Sequence, residues 1–227
     1  MGPDIVWPEG LVPYKTAFYL QPHVGGQESP LTRTRKVYGL SAPRWLARLT
    51  FRAGHGYEEV GVGPTENDPA FYGARLDALI AEMDGGLNCV LFHDFRRPRP
   101  QHYLTNYHGP AVVAVTAPIG SSSITLQIGE GNLGPSIGDY VGGDGRPHIV
   151  TGFSPTIARM TSIAPADGLI TVRFKPPLSS AIPSGAELPI GKIPARFRLS
   201  GGDDSGQNEG EVGSPIEYAL EFTEELL

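Results

Sequence analysis

The sequence predicts a mainly β protein with a single α-helix. Glycine and proline, 30 and 22 of 227 residues, are spread along the whole chain, which is typical of short strands joined by turns. Only residues 69–84 place apolar side chains at helical spacing, whereas many other stretches alternate or form short apolar runs. We therefore expect an outer β-barrel or sandwich domain built from both chain ends, with a second, all-β module between them.

Residues that start and stop helices frame the single helix. Asn67 and Asp68 can cap its first N–H groups, Pro69 suits the first helical position, and Gly85-Gly86 can end it. One side of the helix is apolar and comprises Phe71, Leu76, Leu79, Ile80 and Met83. The other side is expected to face mostly away from the core and carries Tyr72, Arg75, Asp77, Glu82 and Asp84. The helix should therefore lie on a core with one flank in water.

The stretch after the helix, Cys89-Val90-Leu91-Phe92, is apolar at every position. Such a run predicts an interior strand, with the helix covering one of its faces. Cys89 is then a core side chain rather than a nucleophile, because an apolar environment disfavours the thiolate.

The first part of the chain predicts an arm and several strands. Residues 1–15 are rich in proline yet apolar, so we expect an extended arm laid on its own or a neighbouring subunit. Residues 16–20 and 36–40 are strand candidates, and residues 21–30, with Gly25-Gly26, predict a loop. Residues 45–51 alternate, with Trp45, Ala47, Leu49 and Phe51 on one face.

The rest of the chain predicts a separate module followed by closing strands. Beyond the stiff crossing Arg96 to Pro100, short β segments run at 111–117, 123–128, 139–141, 149–153, 157–163 and 169–174. Residues 195–199 and 216–222 then alternate like the first part. We predict an outer domain of residues 1–106 and 193–227, with helix 69–84, and an inserted β-barrel of residues 107–192.

Charge and composition exclude several classes of protein. A net charge of −6 argues against a surface built to grip nucleic acid, and one cysteine excludes an intramolecular disulfide framework. No apolar run is long enough to span a bilayer, and the start has neither a basic nor an apolar signal region. We expect a protein made and folded in the cytosol.

Several motifs suggest chemistry, and each has a simpler interpretation. Gly129 to Gly134 spells a dinucleotide fingerprint, but turn and strand residues follow where the motif needs a helix. His93, Asp94, His102 and His108 have no one-faced metal-ligand spacing. The acidic residues between Asp203 and Glu211 lack EF-hand spacing. The basic side chains Arg33, Arg35, Lys36, Arg96, Arg97 and Arg99 suggest phosphate binding, but in an acidic chain they are expected to pair with carboxylates of the same or a neighbouring subunit. We predict no enzyme activity and no cofactor or metal.

The order of these parts resembles the distal tail (Dit) proteins of long-tailed, siphovirus-like bacteriophages. The resemblance covers nearly the whole chain and depends on the arm, the strand Arg44 to Leu49, helix and strand 69–95, and the closing strands. Within the inserted module it includes Gly138-Asp139-Tyr140-Val141 and Asp167 to Val172.

The resemblance implies a non-enzymatic virion protein at the distal end of the phage tail. Six copies would form a ring through the split outer domain, and the inserted barrel would be OB-like. The implied partners are other copies of the chain, the tail tube protein, the hub and fibre proteins of the tip, and the tape measure protein. Specific nucleic-acid binding and membrane binding are not expected.

We predict that the arm and the arginine-rich crossing lie at subunit contacts, through Trp7, Leu11, Tyr14, Arg96, Arg97 and Arg99. An acidic ring would repel the phosphates of DNA passing through it. Two alternatives stay open. One is a carbohydrate-binding β module whose Trp and Tyr side chains stack on sugars. The other is a cell-wall hydrolase, which would need a cleft with a perturbed carboxylate.

Overall fold

A computed structural model describes residues 4–53, 72–101, 111–128, 133–154, 161–163, 168–200 and 216–226. The protein is mainly β, as the sequence predicts. Helix α1 spans Tyr72–Met83. The strands of the described residues are β1 (Ile5–Val6), β2 (Lys15–Glu28), β3 (Arg35–Ala53), β4 (Val90–Phe92), β5 (Ala111–Val113), β6 (Ser123–Gln127), β7 (Leu133–Ser136), β8 (Tyr140–Val141), β9 (His148–Ser154), β10 (Thr161–Ile163), β11 (Leu169–Lys175), β12 (Glu187–Leu188), β13 (Ala195–Leu199) and β14 (Ile216–Glu224).

The chain divides into two compact units. The first unit comprises residues 1–19, 46–98 and 194–226, so it draws on both chain ends. The second unit comprises residues 99–193 together with residues 20–45.

One six-stranded sheet joins the chain ends, in the order β1-β4-β13-β14-β3-β2. Strand β14 pairs antiparallel with β3 over eight residues, from Ile216 opposite Ala53 to Thr223 opposite Leu46. Strand β13 lies between β14 and β4, and β1 pairs parallel with β4. Val90 to Phe92 is therefore an interior strand, as its unbroken apolar sequence predicts, and Cys89 is buried.

Helix α1 ends as the sequence predicts, while its predicted caps and Phe71 lie outside the described residues. The chain passes from Met83 into a 3-10 turn in which Gly85 has φ of 61°. Leu76, Leu79 and Met83 are buried. Tyr72 was predicted to face outward, and this is wrong: it is buried because its ring packs inward and its hydroxyl donates a 2.6 Å hydrogen bond to the Gly10 carbonyl.

Aromatic rings fill the core of the first unit. Phe92 of β4 stacks on Phe197 of β13 with centroids 4.1 Å apart and meets Phe222 of β14 edge-on at 5.0 Å. Stacked and edge-on rings add to the stabilisation from burial alone. Because the three rings come from three neighbouring strands, they fix the alignment of the C-terminal strands on β4.

The second unit contains an open six-stranded sheet, in the order β12-β5-β6-β11-β9-β8. Strand β11 lies at its centre, antiparallel to both β6 and β9. Strand β5 ends at Val113, earlier than the predicted 117, and only an isolated bridge joins Ala117 to Ile182. A separate pair, β7 and β10, forms a two-stranded sheet. One side of the large sheet supplies a continuous apolar core that includes Leu126, Val150, Ile170, Val172 and Phe174.

The prediction of a loop over residues 21–30 is wrong. Strand β2 continues to Glu28, and β3 begins at Arg35, so the two form a long hairpin with its turn at residues 29–34. Gly25 and Gly26 suggested a loop because glycine usually interrupts strands. Here Gly25 lies against the ring of Tyr38, and an added Cβ would come within 2.9 Å of that ring, so the glycine allows a close approach within a strand.

Candidate functional site

The hairpin of residues 20–45, hereafter the hairpin arm, exposes an unusual amount of apolar surface. Thirteen large apolar side chains are exposed among the described residues, and five of them lie in these 26 residues: Val24, Leu31, Val37, Tyr38 and Leu40. Leu31, in the turn, is 93% exposed. Clustered exposed apolar side chains of this kind mark interaction surfaces more often than scattered ones do.

Both faces of the hairpin arm carry these side chains. Tyr38 and Leu40 are two residues apart on β3 and share a face, whereas Val37 points to the opposite one. A two-stranded ribbon with no core on either side is marginally stable in water. The arm therefore gains stability from whatever covers it.

The base of the hairpin arm is firmly held within the second unit. Trp45 is buried, its Nε1 donates a 2.8 Å hydrogen bond to the Pro147 carbonyl, and its ring meets Tyr140 edge-on at 5.7 Å. Arg146 donates from Nη2 to the Pro43 carbonyl at 2.9 Å. The contrast between this packed base and the uncovered remainder of the arm singles out residues 22–40 as the accessible part.

The hairpin arm is also basic in an acidic protein. It carries four basic side chains, Arg33, Arg35, Lys36 and Arg44, against one acidic side chain, Glu28, for a net charge of +3. Because the whole chain carries −6, the residues outside the arm carry a net charge of −9. The arm is therefore complementary in charge to the remainder of its own chain.

The N-terminal arm, residues 4–14, packs on the first unit with only part of its surface exposed. Leu11 is buried. The ring of the half-buried Trp7 meets the ring of Phe92 with centroids 5.3 Å apart, and Trp7 Nε1 donates a 2.7 Å hydrogen bond to the Leu11 carbonyl. Exposed apolar side chains remain at Val6, Val12 and Tyr14. Of the predicted contact residues in this arm, Tyr14 alone is well exposed. Deleting the arm would remove side chains that pack in the core. Substitutions at its exposed positions are therefore a better test of whether the arm forms a subunit contact.

The arginines of the crossing differ from one another. Arg96 forms a two-point ion pair with the buried Asp94, with Nε and Nη2 at 3.0 and 2.9 Å from the two carboxylate oxygens. Its Nη2 also donates to the Phe18 carbonyl at 2.6 Å. Arg96 is thus held within the first unit although its side chain is 42% exposed, and Arg97 and Arg99 are exposed as well.

A polar cluster with buried side chains lies in the second unit. The side chains of Asp144 and His148 are completely buried, with His148 Nε2 2.7 Å from Asp144 Oδ1. The other carboxylate oxygen accepts from the Ser179 backbone N–H at 2.7 Å and from its hydroxyl at 2.9 Å. His148 Nδ1 lies 2.8 Å from the Pro176 carbonyl oxygen. Both ring nitrogens therefore lie within hydrogen-bond distance of oxygen atoms, one from Asp144 and one from the Pro176 carbonyl group.

The electrostatics of this cluster favour a structural tie. Burial raises the pKa of Asp144, but hydrogen bonds from His148 and Ser179 and the charge of His148 outweigh it, so the pKa lies below its usual range. Asp, His and Ser also suggest a hydrolase triad. In such a triad the serine bonds to the histidine, whereas here Ser179 bonds to the carboxylate, and the side chains of Asp144 and His148 are buried. The sequence analysis missed this cluster, whose only local signal is the four-residue spacing of Asp144 and His148.

The other sequence candidates remain without support as chemical sites. Strand β7 begins at Leu133, within the motif Gly129 to Gly134, and runs to Ser136, so the described residues provide no helix N-terminus at the place where the motif needs one. His93 packs against Phe95, and no group of three metal-ligating side chains occurs within the described residues. His102, His108 and the acidic stretch 203–211 lie outside those residues. None of the described helices is long and apolar enough to cross a membrane.

Neither tryptophan is placed to stack on a sugar, since Trp45 is buried and Trp7 packs among aromatic rings.

Comparison with models of known protein families gives no match, and comparison with curated proteins finds no similar sequence. Function must therefore be argued from the surfaces and the order of the parts.

Proposed function

We propose that this chain is a structural, non-enzymatic subunit that assembles into a ring with copies of itself. The observation that carries the proposal is the six-stranded sheet that joins both chain ends. Its terminal strand β1 is joined to β4 by hydrogen bonds from the Ile5 N–H to the Cys89 carbonyl and from the neighbouring Trp7 N–H to the Leu91 carbonyl. The outer edge of β1 pairs with no described strand, and Val6 on it is 74% exposed. An open edge of this kind can continue a sheet into a neighbouring subunit.

The resemblance in the order of parts makes the proposal more specific: a distal tail protein of a long-tailed bacteriophage, located in the virion at the distal end of the tail. Its ring, six-fold by that resemblance, would connect the tail tube to the hub and fibre proteins and let DNA pass. The split outer domain would form the ring and the module between its halves would be an OB-like barrel. An isolated bridge between Val141 of β8 and Ile190, two residues after β12, supports that barrel, because it links the two edges of the open sheet.

The net charge also favours a ring around DNA. A chain with net charge −6 multiplied around a ring gives a negative field, which opposes binding of phosphates to the wall of the passage. A carbohydrate-binding module is the alternative. Both tryptophans are engaged in packing, so a sugar would have to stack on exposed tyrosines such as Tyr14, Tyr19 or Tyr38.

The proposal is tested by the mass and shape of the purified protein. Light scattering coupled to size exclusion should give an integral multiple of the 24.3 kDa chain, six-fold if the resemblance holds, and negative-stain images should show a ring with a central hole. A particle of one chain over the whole accessible concentration range would refute the proposal.

A further inference from the structure

We propose that the hairpin arm of one copy docks on the N-terminal arm of the next copy. This inference rests on the proposed ring and assigns the two surfaces that build it. The hairpin arm exposes apolar side chains that nothing in its own described chain covers. Val24, Val37 and Leu40 are exposed on a ribbon that has no core, and burying such side chains is the main source of stability in protein contacts.

The second step is charge. Near its turn the hairpin arm presents Arg33, Arg35 and Lys36, all exposed, and its net charge is +3. The N-terminal arm carries two acidic side chains, Asp4 and Glu9, and no basic side chain from residue 4 to residue 14. Asp4 is paired with Arg196 of the same chain at 2.7 Å, and Glu9 is exposed. Two hairpin arms would repel each other, whereas a hairpin arm and an N-terminal arm attract. A second copy of this chain supplies the complementary surface without any other partner.

The third step is the apolar match. Val6, Val12 and Tyr14 are exposed along the N-terminal arm, next to the open edge of β1. Tyr14 is held in place because its hydroxyl donates to Glu217 at 2.9 Å and the Arg52 guanidinium lies 4.8 Å above its ring. A fixed aromatic ring loses little conformational freedom on binding. The contact joins two different surfaces, so it repeats head to tail and closes a ring when the rotation allows.

Two variants of the full chain test the contact. The hairpin variant carries Val24→Thr, Val37→Thr and Leu40→Thr, which keep β propensity and remove apolar surface. The matched control carries Val115→Thr and Ile119→Thr, which are equally exposed apolar positions of the second unit. We expect the hairpin variant to raise the dissociation midpoint concentration about 100-fold or more, while the control assembles like the original protein.

The arm variant carries Val6→Thr and Val12→Thr and should also lose assembly when it is alone. Mixing it with the hairpin variant should restore association as 1:1 pairs, because the intact hairpin arm of one chain meets the intact N-terminal arm of the other. Far-UV circular dichroism and the fluorescence of Trp45 check that each variant is folded.

The outcomes separate this contact from the ring itself. A ring that persists unchanged in the hairpin variant overturns the contact and leaves the proposed function standing. Loss of assembly in the hairpin variant with full assembly of the arm variant also overturns it, in favour of a hairpin-to-hairpin contact. An original protein that is monomeric at every concentration overturns the contact and the proposed function together.

Discussion

Replacing Asp144 by asparagine should strongly destabilise the second unit. The carboxylate accepts hydrogen bonds at 2.7 Å from His148, at 2.7 and 2.9 Å from Ser179, and at 3.4 Å from the Arg146 backbone N–H. An amide has one acceptor oxygen, and its NH₂ group would face donors, so at least one strong donor loses its partner in a buried site. Leaving a buried donor without its acceptor costs about 1–3 kcal/mol, because the donor has lost its water and gains no partner in exchange. We expect a loss in that range.

The two tryptophans allow the measurement to be confined to one unit, since Trp7 belongs to the first unit and Trp45 to the second. In a Trp7→Phe background, Trp45 fluorescence reports urea unfolding of the second unit. Asp144→Asn is compared there with Glu187→Gln, an exposed carboxylate of the same unit whose loss should change stability by less than about 0.5 kcal/mol.

The pH dependence gives a second readout of the same carboxylate. Its pKa in the fold is lower than the ordinary 3.8, so the unfolded chain takes up the proton first as pH falls. The contribution of Asp144 to the free energy of unfolding is therefore fully present above pH 3.8, and it is lost as pH falls through the pKa of Asp144 in the folded protein. Asp144→Asn should remove this part of the acid destabilisation. A cost below about 1 kcal/mol together with an unchanged acid profile would show that the cluster is not a net stabilising tie.

Three further predictions concern the first unit and the assembly. Burial and the hydrogen bond to Asp77 raise the pKa of Tyr218 to about 12. The contribution of Tyr218 to the free energy of unfolding is therefore present below pH 10 and lost as pH rises to 12. Tyr218→Phe should remove this change, so that the free energy of unfolding in urea stays constant between pH 10 and 12. Gly86 has φ of 93°, and an added Cβ would lie 2.8 Å from the Leu199 carbonyl oxygen. Gly86→Ala should therefore lower the free energy of unfolding in urea by about 2 kcal/mol. Gly85→Ala should cost less, because a Cβ at that position would contact no other atom. Raising NaCl from about 0.05 to 0.5 M should shift light-scattering mass toward smaller species, because screening weakens the attraction of the basic hairpin arm; equal masses would count against the charge argument.

The parts of the fold that the sequence predicts are those set by neighbouring residues. Gly85 ends the helix through its own backbone angle, and the unbroken apolar run at Val90 to Phe92 requires cover on both faces wherever the strand lies. The closing strands follow from alternation that matches the pleat of a sheet. Each of these signals is contained within about a dozen residues, so no knowledge of the partner is needed.

The candidate site was predicted less well, because its features depend on distant residues or on exposure. Strand β2 continues through Gly25-Gly26 because β3 pairs with it, whereas the sequence of residues 21–30 alone predicts a loop. Tyr72 was misplaced because its partner, the Gly10 carbonyl, is 62 residues away. Likewise, Ser179 joins Asp144 across 35 residues, a distance over which spacing rules give no signal. A strand pattern also cannot say whether its apolar side chains will be covered, which is what distinguishes the hairpin arm from a core strand.

If the chain forms the proposed ring, the charge of the hairpin arm also bears on the passage of DNA. In a free chain its +3 partly offsets the −9 of the remaining residues. If the arm docks on a neighbour as proposed, its basic groups lie at the contacts, and the surface that stays in solvent is more acidic than the net charge of −6 indicates. Assembly would then strengthen the repulsion of phosphates, because charge neutralisation is confined to the joints between subunits. The same basic side chains would favour association of the copies and keep positive charge away from the channel.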